Sequence, residues 1–138
     1  MEWLLDYILR NQFFFQLHIM LSARFYLFVE TLDLPMDKIE KIKEFLLSNP
    51  NDNFLRHALA LEYIKAGNML EARSLFENIL AEAPDYIGSY YHLGKLLETM
   101  QETGLAIEWY EKGMAAAKAV KDNHAYNELQ AAYEDLVY

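Results

Sequence analysis

The side chains with the most chemistry to offer in this 138-residue chain are its four histidines, His18, His57, His92 and His124. None stands in an H-E-x-x-H arrangement, and no two share a helix face at the spacing a metal ion needs. Asp122 and His124 are close in sequence, but a loop pair without a third ligand reads as a solvated helix cap. The chain has no cysteine, which excludes thiolate zinc sites, disulfide staples and cysteine nucleophiles together. No serine lies in a G-x-S-x-G elbow. Gly67, Gly88, Gly94, Gly104 and Gly113 are too scattered to form a loop that cradles phosphate. Carboxylates such as Glu71 and Glu77 fall on outward helix faces, where surface charge is their ordinary role. The residues predict no catalytic group, no metal and no cofactor. An enzyme built on this chain would need a partner to supply the reactive groups.

Composition narrows the partners. A formal net charge of −9 and a pI near 4.8 argue against nucleic acid, whose phosphates would be repelled. A basic or neutral protein suits that field better. Hydrophobic residues at 54% with 24% charged describe a globular chain, and its length suits a single core. The absence of cysteine fits a reducing, cytoplasmic setting.

The elements that must position any binding residues are clearest over 53–84. Leu55, Leu59, Tyr63 and Ala66 share one helical face, and Met69, Ala72, Phe76, Ile79 and Ala83 share another. Gly67-Asn68 between them supplies a turn, and Pro84 stops the second helix. The unit recurs after about 34 residues, the period of a helix-turn-helix repeat. Leu59, Ala60, Tyr63, Ala72, Phe76 and Pro50 are answered by Leu93, Gly94, Leu97, Ala106, Tyr110 and Pro84. Over 51–117 the chain therefore resembles the tetratricopeptide repeat family. The resemblance implies an all-α fold, an α-solenoid of antiparallel helix hairpins wound as a right-handed superhelix, and a scaffold that binds protein.

The remaining segments are read in register with that unit. Residues 36–50 form the second helix of a preceding repeat, with Ile39, Ile42, Phe45 and Leu46 as its apolar stripe. Residues 51–84 and 85–118 are full repeats. Asn51, Asp52 or Asn53 caps the first, and Asp85 is expected to cap the second. A turn is expected at 101–104 and a break at 121–123, with Asp122 or Asn123 capping a last helix over 122–137. That helix carries Ala125, Tyr126, Leu129, Tyr133 and Leu136 on one face and closes the open end of the solenoid. Residues 1–35 are apolar and aromatic-rich. They read as a degenerate first helix over 20–32 or, since Met36 opens a sequence complete without them, as an extension from an upstream start. A membrane window at 13–29 is short of the ~20 apolar residues of a span and is broken by Gln16, His18 and Arg24. Membrane association through 13–29 is the alternative to a cytoplasmic scaffold.

In the family, the leading helices of successive repeats line a concave surface that holds a peptide or a partner's helix. Carried over by register, that surface comprises Phe54, His57, Leu61 and Lys65 from one repeat and Tyr91, Lys95 and Glu98 from the next. None of the seven is required by the expected core. His57 and Leu61 stand where chaperone-binding members place the first lysine and an asparagine of a carboxylate clamp, so that ligand is not implied here. Two full repeats are few for stability, which makes a homodimer the second assembly to consider.

Overall fold

Six helices follow one another through residues 35–138, the part of the chain that the computed structural model describes, with side chains described from Lys38 onward. They are α1 (Pro35–Ser48), α2 (Asn53–Lys65), α3 (Met69–Glu82), α4 (Gly88–Thr99), α5 (Thr103–Ala119) and α6 (Asn123–Val137). The helix expected over 20–32, the membrane window 13–29 and His18 lie outside the described residues. Among the described residues no helix is long and apolar enough to cross a membrane.

Local chemistry accounts for most of the boundaries. Asp52 caps α2 by accepting a hydrogen bond from the Leu55 amide at 3.0 Å, and Asp122 caps α6 through the Ala125 amide at 3.0 Å. Gly67 adopts φ +82°, and the Asn68 amide reaches back to the Tyr63 carbonyl at 2.8 Å, which ends α2 and reverses the chain. The same corner is built twice more without glycine. Gln101 (φ +64°) precedes a bond from the Glu102 amide to the Leu97 carbonyl, and Lys121 (φ +61°) precedes one from Asp122 to Ala117. Gly104, expected in the turn, instead lies within the first turn of α5.

Asp85 does not cap α4. The chain makes tight turns over 83–87, and Ile87 stands at the cap position with helical backbone angles and no side-chain acceptor. Tyr90 steadies this corner by donating its hydroxyl to the Pro84 carbonyl at 2.9 Å. At the preceding corner, Arg56 donates to the Pro50 carbonyl at 2.9 Å and pairs with Glu82 at 2.6 Å. Arg73 does similar work further along, pairing with Glu77 on its own helix and with Glu102 at 2.9 Å.

Each helix packs against the next, and α4 also meets α6. The interleaving of large and small side chains sets how closely they approach. Ala60, Ala72, Ala106 and Ala117 are fully buried beside Phe76, Leu93, Leu97 and Tyr110. A Cβ on Gly94 would lie 2.2 Å from the Tyr110 ring, and one on Gly113 would lie 2.6 Å from the Tyr90 Cβ. At both points α4 and α5 therefore approach more closely than a side chain on the glycine would allow. In α1, Ile39 is buried and Ile42 and Leu46 are half-buried, while Phe45 is 63% exposed and does not join the expected stripe.

Candidate peptide-binding face

Helices α2 and α4 lie side by side and run the same way. Early residues meet early ones, since His57 Nδ1 and Ser89 Oγ share a hydrogen bond at 2.9 Å. Late residues meet late ones, because Leu61, Ile64 and Lys65 of α2 face His92, Lys95, Leu96 and Thr99 of α4 across one cleft of about 280 Å³. The walls of this cleft are apolar, and its rim carries the two lysines. Each lysine is already paired on its own helix, Lys65 with Glu62 at 2.6 Å and Lys95 with Glu98 at 3.1 Å.

A second hollow, of about 470 Å³, opens at the N-terminal ends of α2, α4 and α6. His57, Tyr86 and Ile87 form part of its wall with Val120, and Asp85 and Asp122 supply carboxylates. Gly88 also lines it, and a Cβ there would meet nothing within 4 Å. Neither aspartate has an ion-pair partner among the described residues.

His57 and His92 stand between the two hollows, one on the wall of each, with ring centroids 5.2 Å apart. His57 also meets Phe76 at 5.3 Å and Tyr86 at 5.7 Å. Burial pushes the His57 imidazole down to about 4, with a further push from His92. His92 is lowered too, again by burial, with the charge of Glu128 acting the other way. Both rings are neutral at neutral pH. Burial raises the Tyr86 phenol, and the charge of Asp52 adds to that shift. Among the described residues, no three histidine, aspartate or glutamate side chains converge where a metal ion could be held.

The resemblance read from the sequence has a counterpart in a solved structure. A tetratricopeptide repeat domain protein from Salinibacter ruber is 41% identical, over 62% of this chain and 94% of its own, with a TM-score of 0.59. The chain belongs to the tetratricopeptide repeat family. A protein from Bordetella parapertussis is 26% identical over 71% of this chain and 85% of its own, with a TM-score of 0.63. The TPR2B domain of yeast Sti1, solved in a complex with pHsp70, shares the fold at 15% identity over 71% of this chain and 78% of its own (TM-score 0.66). No family model and no curated protein matches the chain.

Within this tetratricopeptide fold the seven residues read from the sequence are placed unevenly. Leu61, Lys65 and Lys95 come together at the apolar cleft. Tyr91 is half-buried and meets His92 edge-on at 5.7 Å. Phe54 is 71% exposed and lines neither hollow. His57 and Glu98 are also engaged inward: His57 bonds to the fully buried Ser89, and Glu98 accepts the Tyr110 hydroxyl as well as Lys95. Sequence reasoning missed Ile64, His92, Leu96 and Thr99 on the cleft, and Asp85, Tyr86 and Asp122 on the hollow. His57 and His92 are one repeat plus one residue apart, and that offset is the signal that could have paired them.

Proposed function

We propose that this tetratricopeptide protein is a non-catalytic interaction scaffold that binds an extended segment or helix of a partner protein along the face shared by α2 and α4. The observation that carries this reading is the cleft between those helices, apolar inside and edged by Lys65 and Lys95. Peptide grooves pair apolar walls with a few placed polar groups in this way. The Sti1 relative supports it at the level of fold, having been solved with a bound partner.

Affinity capture with the wild-type chain beside Tyr91→Ala and Lys95→Glu tests the reading. Tyr91→Ala removes aromatic surface, and Lys95→Glu turns a rim donor into an acceptor of the opposite charge. At least one captured protein should be lost from both variants while their helical circular dichroism is unchanged. Retention of every captured protein by both would show that the binding surface lies elsewhere.

A further inference from the structure

The two hollows on this face differ in charge, and the difference describes what fits them. In the apolar cleft each lysine is neutralised by a glutamate of its own helix, through Glu62 and Glu98. The cleft therefore offers apolar surface and ammonium donors without net charge. The wider hollow is the opposite case. Asp85 and Asp122 face it without a cation, beside the Tyr86 ring and the neutral face of His57. Asp122 spends one oxygen on the α6 cap, which leaves its charge in place. A carboxylate pair beside an aromatic ring suits a lysine or arginine side chain, through ion pairing and the ring's attraction for cations.

Spacing follows from the helix. Gly88 lines the wider hollow and Lys95 edges the apolar cleft, seven residues apart on α4, which corresponds to about 10 Å along its axis. An extended chain covers that distance in about three residues. The overall charge of −9 attracts a basic segment before contact.

We infer that the partner segment is extended and carries a basic side chain for the Asp85–Asp122 hollow and a bulky apolar side chain, three residues away, for the Leu61–Leu96 cleft. This deepens the groove reading and rests on it. The His57–His92 pair separates the two subsites and fixes their distance.

Nuclear magnetic resonance titration with blocked octapeptides tests the inference. The probes carry lysine and leucine three residues apart in an alanine–glycine background, in both orders. Control peptides replace the lysine by glutamate or the leucine by serine. In at least one order, the lysine–leucine peptide should shift amides of 85–89 and 120–122 together with those of 61–65 and 92–96. Glutamate in place of lysine should weaken binding about tenfold, and serine in place of leucine about fivefold. Two protein variants locate the basic subsite. Asp85→Asn with Asp122→Asn removes the charge while asparagine keeps the α6 cap. Gly88→Leu fills the hollow from a position with room for a side chain. Each should cost the lysine–leucine peptide about fivefold with the amide spectrum otherwise intact.

Equal binding of the glutamate peptide, undiminished binding to Gly88→Leu, or silence from every peptide would overturn the inference. If the Tyr91 and Lys95 variants still lose their captured protein in those cases, the groove stands and only its basic–apolar specificity falls.

Discussion

At the scale of single residues, the histidine pair is the feature with the widest consequences. His57 and His92 lie on neighbouring parallel helices, and both are held neutral by burial. An unfolded chain would hold His57 at its ordinary value near 6.5, against about 4 in the fold. On acidification the unfolded state therefore binds its proton first, and stability falls as pH drops from about 6.5 toward 4. His92 shifts in the same direction and steepens the loss. Between pH 7 and pH 5 the fold should lose about 1–2 kcal/mol by urea denaturation, after allowing for partial solvent exposure. His57→Gln should flatten that slope, and an unchanged slope would place the acid sensitivity elsewhere. The pair was hidden from a sequence search for metal spacing, because such a search looks along one helix. Gly94 was the reverse case. A glycine opposite an alanine of the preceding repeat predicts a close helix approach, and the Tyr110 ring fills the space where its side chain would be.

At the scale of elements, the helices were legible because amphipathic spacing and turn residues agree about them. The stop at Gly67 and the caps at Asp52 and Asp122 follow from side-chain chemistry read in order. The start of α4 was not legible from its aspartate. Its entry is fixed by a tight backbone turn and by Tyr90 reaching the Pro84 carbonyl, and that contact exists only once the repeat is folded. The corner between α4 and α5 shows a second limit. Gly104 suggested a turn, yet the residue with positive φ is Gln101, and Gly104 has gone into the helix. Each is in the wrong place for its own stability. Gln101→Gly should relieve a left-handed conformation that costs a residue with a Cβ, for a net gain of about 0.5–1 kcal/mol. Gly104→Ala should gain about as much again from helix propensity, since a Cβ there meets nothing within 4 Å. Thermal melts of the two variants and of their combination check this. A combined variant that melts no higher than the wild type would mean that the corner tolerates glutamine without strain.

At the scale of the whole molecule, the proposed binding face and the stability share one cause, which is packing from helix to helix along a line. The repeat period made that line readable, since large residues recur opposite large ones and small opposite small. The two hollows were less readable, because they arise where residues of neighbouring repeats converge, and a single repeat does not reveal which of them share a wall. In a linear array, damage at an end should stay near that end. Leu129 tests this. It is the large, fully buried side chain of α6, and it packs where Gly113 leaves room on α5. Leu129→Ala removes the main anchor of the terminal helix, at a cost of about 2–3 kcal/mol. The helices before it keep Phe76, Leu93, Leu97 and Tyr110 buried together. Amide hydrogen exchange should then show protection falling sharply over 123–137 while amides of 69–82 and 103–117 stay near their wild-type rates. The hollow edged by Asp122 should loosen with α6, and the Leu61–Leu96 cleft, walled by α2 and α4, should persist. Equal loss of protection from α2 through α6 would instead mean that the array melts as one unit, with α6 an integral part of its core.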